Sequence, residues 1–185
     1  SKPFTFSVYF NNLIKSNGKY FMIKDSFDII LSTNDIVLGA TIYNGIKEIQ
    51  EYNFFGNIIK PIRTSIYPSK KIIDNTVTFK TLSPLLINDK DKQNIYLTPQ
   101  DEGYLDNLKY YANELSNLYI GKKLNYFEID IKEMKKSVYS HYQQGMPGIT
   151  GIFKIKSEPE FLNLINDIGF GDRRSQGFGM LEVIK

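Results

Sequence analysis

From residue 76 onward the apolar residues switch between two spacings in a fixed order, and that order leaves few folds open. Thr76-Val77-Thr78-Phe79-Lys80-Thr81-Leu82-Ser83-Pro84-Leu85-Leu86-Ile87 is β-branched and aromatic, a strand in which Pro84 marks an edge or bulge. Thr98 is an N-cap candidate, with Pro99 at the first helical position and Asp101 two further on as a carboxylate form of the capping box. Tyr104, Leu105, Leu108, Tyr111, Ala112, Leu115 and Leu118 then recur at helical spacing until Gly121. Phe127, Ile129 and Ile131 alternate with Glu128, Asp130 and Lys132, the period of a half-exposed strand. Residues 143–148 (Gln-Gln-Gly-Met-Pro-Gly) form a loop, and 149–156 a further strand. Ser157-Glu158-Pro159-Glu160 is a capping box opening a short helix with Phe161, Leu162, Leu164, Ile165 and Ile168 on its apolar face. Gly169 ends that helix and 178–184 closes the pattern as a strand. Strand-helix-strand-strand-helix-strand is the ferredoxin-like βαββαβ unit.

The first third carries part of the same pattern. Phe4, Phe6, Val8 and Phe10 alternate with Thr5, Ser7, Tyr9 and Asn11, which predicts a half-buried strand with the apolar side inward. Ser16-Asn17-Gly18-Lys19 is a turn, and a second strand runs over 20–31 with an interruption at Lys24-Asp25-Ser26. Asn34 caps a helix to about Lys47, with Val37, Leu38, Thr41, Ile42 and Ile46 facing inward. Residues 51–66 read as strand and 67–71 as an exposed connector. A sheet with one helix leaves a face partly covered, so a strand and a helix are expected ahead of residue 1. The expected fold is therefore α+β: tandem ferredoxin-like domains, the first (1–68) N-terminally incomplete, the second (69–185) complete.

Composition narrows the chemistry. The absence of cysteine removes disulfides, thiol nucleophiles and thiolate metal sites, and a single histidine, His141, argues against a histidine-based zinc site. No metal site and no cofactor are expected. Asp89/Asp91 and Asp101/Glu102 sit at turn and cap positions and read as local structure. No apolar run is long enough to span a membrane, and a soluble, cytoplasmic protein is the expectation. A net charge of +3 permits a nucleic-acid partner without requiring one.

Two of the three arginines lie in Gly169-Phe170-Gly171-Asp172-Arg173-Arg174-Ser175-Gln176-Gly177-Phe178-Gly179. Glycines allow positive φ and close approach of backbone amides, and arginine adds a fork that grips phosphate. The segment is either a phosphate-gripping loop or a purely structural link between a helix end and a strand. It follows a helix and opens a strand, the reverse of a dinucleotide fingerprint, and no P-loop sequence is present. Gly148-Ile149-Thr150-Gly151-Ile152-Phe153 does not match the aromatic signature of an RRM strand. His141 is either a general acid or base or an ordinary surface or packed residue. Lys135, Lys136, Tyr139 and Tyr142 around it either contact RNA by charge and stacking or are plain surface.

Gly169-x-Gly171-x-Arg173-Arg174-Ser175-Gln176-Gly177-Phe178-Gly179-Met180 resembles the C-terminal glycine-rich loop of the CRISPR repeat-processing endoribonucleases, the sixth Cas family of the RAMP superfamily. Pro3-Phe4-Thr5-Phe6-Ser7 resembles that family's early strand, and Thr81-Leu82-Ser83-Pro84 its linker-proximal strand. The resemblance implies a RAMP-type tandem ferredoxin-like fold and metal-independent cleavage of CRISPR precursor RNA within its repeats. It implies attack by a 2′-hydroxyl, leaving a 2′,3′-cyclic phosphate and a 5′-hydroxyl. Implied partners are CRISPR repeat RNA, subunits of a CRISPR effector complex and a second copy as a homodimer. The implied RNA-binding residues are Gly169, Gly171, Arg173, Arg174, Ser175, Gln176, Gly177 and Gly179. Many members carry their acid/base histidine shortly upstream of the Pro-Phe-Thr-Phe-Ser match. No residue of this sequence aligns there, the role is not transferred to His141, and the catalytic residues stay unassigned. A non-catalytic repeat-binding RAMP subunit is the alternative, and a small-molecule phosphate binder or interaction domain a third reading.

Overall fold

The computed structural model of the chain describes residues 2–16, 20–92, 94–141 and 144–184, and all their side chains except those of Lys132, Ser140, His141 and Gln144. The expected turn at Asn17-Gly18-Lys19, Tyr142 and Gln143, and the side chain of His141, lie outside it.

The second unit is built from β7 (Thr76–Thr81), α2 (Tyr104–Tyr119), β10 (Glu128–His141), β11 (Gln144–Lys156), α3 (Pro159–Ile168) and β12 (Leu181–Ile184). Its four strands pair antiparallel in the order β10-β11-β7-β12. That order puts the first strand of the unit between its third and fourth, the ferredoxin-like arrangement that the chain pattern predicts. Both helices cover one sheet face. Val77, Phe79, Phe153, Ile155 and Leu181 from the strands share a core with Leu108, Ala112 and Leu115 of α2 and with Phe161, Leu162, Ile165 and Ile168 of α3. The other face carries Thr78, Lys80, Lys154, Lys156, Glu128, Asp130 and Glu182, with Lys156 Nζ paired to Glu128 Oε1 at 3.0 Å. Among these side chains three lysines balance three carboxylates.

Three local expectations are corrected here. Residues 144–148 belong to β11, because β10 and β11 pair from Glu128↔Lys156 to His141↔Gln144. Gly148 is needed within that ladder: a Cβ there would lie 2.7 Å from the Tyr139 ring and 2.8 Å from Pro84. Thr98 and Asp101 do bond each other (Thr98 N–H and Oγ1 to Asp101 Oδ2, 2.7 and 2.8 Å), yet they shape the turn ahead of α2, whose N-cap is Gly103 at φ 79°. Ser157 does not cap α3. Its hydroxyl donates to the Tyr126 carbonyl, Glu158 takes the N-cap position and Pro159 the first turn.

In the first third β1 (Phe4–Phe10) pairs antiparallel with β4 (Phe27–Thr33), and β2 (Leu13–Ser16) pairs with β3 (Phe21–Ile23) between them. The inward face of β1 is the polar one: Thr5 and Ser7 are 0% and 4% exposed, whereas Val8 is 38% exposed. Period two is present but the side is reversed, because β1 buries itself against backbone that needs hydroxyl partners. Helix α1 (Ile36–Glu48) is capped by Asp35, whose Oδ1 accepts the Leu38 N–H at 3.0 Å, in place of Asn34. None of its residues is buried; Leu38 and Ile42 are half-covered, while Val37, Thr41 and Ile46 are exposed. The span 51–66 holds a short hairpin, β5 (Tyr52–Phe54) with β6 (Asn57–Ile59), turned by Phe55 and Gly56 at positive φ, followed by irregular chain. Residues 67–71 are exposed as expected. Two short strands, β8 (Ile87–Asn88) and β9 (Tyr96–Leu97), pair ahead of α2.

Candidate functional site

The glycine-rich segment leaves the core at one aromatic anchor and returns at another. Phe170 is fully buried, with ring centroids 6.0 Å from Phe127 and 6.4 Å from Phe161. Phe178 sits in a small second core with Leu86, Met146 and Tyr139, its ring edge-on to Tyr139 at 6.4 Å. Full burial of one such ring is worth about 1.5–3 kcal/mol. The chain between these anchors therefore has little freedom to shift.

Backbone bonds close the loop at its base. Phe170 N–H donates to the Gly179 carbonyl at 2.9 Å, and Gly179 N–H donates to the Pro84 carbonyl at 2.8 Å. Two glycines make this possible. A Cβ on Gly179 (φ +69°) would lie 1.9 Å from the Phe170 oxygen, and one on Gly171 (φ +87°) 2.5 Å from the Leu86 oxygen. Gly169 ends α3 with φ 79° and ψ 178°, a backbone region that side chains rarely adopt, and Gly177 is packed against the Phe6 ring. All four glycines thus have a structural task.

The three sequence stretches quoted for the family resemblance meet at this base. Thr5 Oγ1 donates to the Phe178 carbonyl at 3.0 Å and Ser7 Oγ to the Leu82 carbonyl at 2.6 Å. Ser83 Oγ accepts the Met180 N–H at 2.9 Å, and Leu82 N–H donates to the Met180 carbonyl at 2.8 Å. Thr81 Oγ1 accepts the N–H of Gly151 at 2.9 Å. The polar residues of the early strand and of the linker-proximal strand therefore serve as backbone partners for the loop and its surroundings. Sequence reading finds the three stretches but not that they form one hydrogen-bonded joint.

The two arginines part company. Arg174 is 3% exposed; its Nη1 donates to the Ile168 carbonyl at 3.1 Å and its guanidinium lies 5.8 Å from the Tyr119 ring centroid. Burial lowers its pKa, and a hydrogen bond with Tyr119 opposes the shift. Its place is inside the fold, closing the C-terminal end of α3. Arg173 is half-buried and lies in the left-handed region at φ 52°. Its own N–H is held by Asp172 Oδ1 at 2.8 Å, and Asp172 N–H by the Leu86 carbonyl at 2.8 Å. Its Nε donates to the hydroxyl of Tyr96 on β9, its guanidinium lies 5.6 Å from that ring centroid, and its Nη1 reaches Gln176 Oε1 at 3.4 Å. Ser175 and Gln176 form a single 3₁₀ turn with Arg174, and the Gln176 side chain is exposed. Tyr96 is the residue that sequence reading missed; nothing at its position signals a partner 77 residues away.

Asp172 and Tyr96 are hydrogen-bonded to Arg173, and Tyr111 interacts electrostatically with both of them. Burial raises both phenols above their ordinary range, partly opposed at Tyr96 by the Arg173 hydrogen bond. Among the described residues no three His, Asp or Glu side chains come close enough to hold a metal ion. Arg173 is thus a half-buried cation on a hydrogen-bonded base, an arrangement suited to holding an anionic oxygen.

Comparison with known proteins agrees with this geometry. Residues 67–183 match the family model for CRISPR associated protein Cas6, C-terminal. A protein of Pyrococcus furiosus named as a CRISPR-associated endoribonuclease-like Cas6 is 24% identical over 176 residues, covering 89% of this chain and 70% of its own length. The solved structure of a Cas6-related protein from Pyrococcus furiosus superimposes with a TM-score of 0.86 at 23% identity, over 98% of this chain and 78% of that one. A RAMP protein described as binding different RNA substrates superimposes with a TM-score of 0.77 at 21% identity, over 100% of this chain and 82% of that one. These likenesses show a shared ferredoxin-like fold along nearly the whole chain. Among the described residues no helix is long and apolar enough to cross a membrane. The family match over the second unit and the loop closed beneath it lead to one assignment: the chain belongs to the Cas6 family of CRISPR-associated proteins.

Proposed function

We propose that the chain is a CRISPR-repeat endoribonuclease that cleaves without a metal ion. In this reaction a ribose 2′-oxygen loses its proton and bonds to the adjacent phosphorus. The bond from phosphorus to the 5′-oxygen breaks, and that oxygen takes up a proton, leaving a 2′,3′-cyclic phosphate and a 5′-hydroxyl. The reading is carried by the joint of the three family stretches, which holds Arg173 on a base of buried glycines. Arg173 contacts an RNA phosphate, with Gln176 and Ser175 beside it. Gly169, Gly171, Gly177 and Gly179 give the loop its shape, and Arg174 holds it from within. Proton donor and acceptor are not assigned to any residue.

The test is incubation of CRISPR repeat RNA with the protein in excess EDTA, with intact-mass analysis of the products. Cleavage within the repeat to a cyclic-phosphate end supports the proposal. Persistent intact RNA in a sample that binds it would refute cleavage and select the second reading, a non-catalytic RNA-binding RAMP protein. That reading needs only the Arg173 contact, on a loop base fixed by the Thr5–Phe178 and Ser83–Met180 bonds, and asks for no proton transfer. CRISPR repeat RNA is the proposed partner in both cases, and effector-complex subunits or a second copy are further proposed partners.

A further inference from the structure

Arg173 has a backbone conformation that ordinary side chains avoid, and its side chain is nevertheless tied at two points. The left-handed φ of 52° directs it toward β9, where the Tyr96 hydroxyl accepts from Nε and the ring lies under the guanidinium at 5.6 Å. A long arginine free in solvent samples many rotamers and loses them on binding. Here the Nε edge is occupied by Tyr96, and one Nη1 hydrogen reaches Gln176 at 3.4 Å. The remaining donors of the fork, chiefly at Nη2, are left to meet a ligand. Tyr96 is itself fixed: Leu97 beside it is buried, β9 pairs with β8, and its ring packs on the second core that holds Phe178. A non-glycine residue persists in the left-handed region where its neighbours fix it, and such residues cluster at functional sites.

We infer that Tyr96 is a positioning residue, which presets the Arg173 guanidinium for an RNA phosphate through its hydroxyl and ring. This rests on the reading of Arg173 as a phosphate contact. Tyr96 acts by lowering the order that Arg173 must acquire when RNA binds; it adds no charge of its own. The hydroxyl selects the rotamer, and the ring supplies a face on which the planar guanidinium stacks, whereas an ammonium meets it only as a point charge.

The experiment is a double-mutant cycle with Tyr96→Phe, Arg173→Ala and both together. Affinity is measured for a 2′-O-methylated CRISPR-repeat RNA, whose blocked hydroxyls prevent cleavage, across a salt series, with thermal unfolding alongside. Tyr96→Phe keeps the ring and removes only the hydroxyl. The expected result is about 5-fold weaker binding with an unchanged unfolding midpoint. In the Arg173→Ala background the same change should have no effect on affinity. Arg173→Lys, which keeps the charge but loses Nε and the planar fork, should be as insensitive to Tyr96→Phe as alanine is. Equal weakening by Tyr96→Phe with and without Arg173 overturns the inference and leaves the phosphate reading standing, as does no weakening at all while Arg173→Ala weakens binding. No effect of Arg173→Ala on affinity or salt slope overturns both.

Discussion

Among the described glycines, Gly179 is where an added methyl would meet its nearest neighbouring atom. The added methyl would sit 1.9 Å from the Phe170 carbonyl oxygen and 3.0 Å from its carbonyl carbon, where ordinary contact begins at 3.4 Å. Both atoms are backbone, so no side chain can rotate aside. Relief requires the two strands of the loop base to part, which breaks the 2.9 Å bond from Phe170 N–H to the Gly179 carbonyl. Alanine at φ +69° adds left-handed strain of about 1–2 kcal/mol. A buried backbone pair left unsatisfied costs about 1–3 kcal/mol. The expected loss is about 4 kcal/mol, which for a chain of this size lowers the melting midpoint by about 10 °C. Urea unfolding should show a lower midpoint with an unchanged m-value. Gly45→Ala is the control. That glycine lies inside α1 with no atom within 4 Å of its added methyl, so alanine there should stabilise by about 0.5–1 kcal/mol. A fall of less than about 3 °C for Gly179→Ala would refute the account of the loop base as a backbone contact closed to side chains.

Thr5→Val keeps shape but removes the hydroxyl that donates to the Phe178 carbonyl, and should lower urea stability by about 0.5–1.5 kcal/mol, while Thr5→Ser stays near the parent. Arg173→Ala and Arg174→Ala should separate cleanly. The first reduces the slope of log affinity against log salt for RNA by about 0.7 with its melting midpoint unchanged; the second lowers the midpoint, because the Ile168 carbonyl loses its buried donor. Asp101 is held below its ordinary carboxylate pKa of 3.8, first by the Thr98 hydroxyl and then by the Thr98 N–H. Its contribution is present above the unfolded-state pKa and is lost as pH falls through the lower folded value. Acid titration of Asp101→Asn should therefore show a shallower loss of stability than the parent, and an identical acid limb would disprove the role.

What the sequence discloses depends on whether a residue's environment is local. The apolar face of α3 was readable in full, since Phe161, Leu162, Leu164, Ile165 and Ile168 are all buried and Gly169 ends the helix. The loop was readable as a glycine pattern, because the spacing that a close backbone approach demands is itself a short motif. Inversion of β1 was not readable: alternation fixes the period but not which side meets the core, and Thr5 and Ser7 face carbonyls from residues 178 and 82. The same holds for α1, whose amphipathic spacing gives no information on what covers it. Adjacent arginines look equivalent in sequence. A left-handed turn at Arg173 directs one outward and one into the end of α3, and non-glycine positive φ has no dependable sequence signal.

The Thr5–Phe178 bond spans 173 residues. During synthesis the carbonyl that accepts from Thr5 leaves the ribosome 173 residues after Thr5 itself, so this bond of β1 forms well after the Ser7–Leu82 bond can form. Closing so long a loop is also slow relative to local hairpins. Joining β1 to the loop base is therefore a long-range event, and removing residues 178–184 should loosen β1 as well as the β7 edge of the four-stranded sheet.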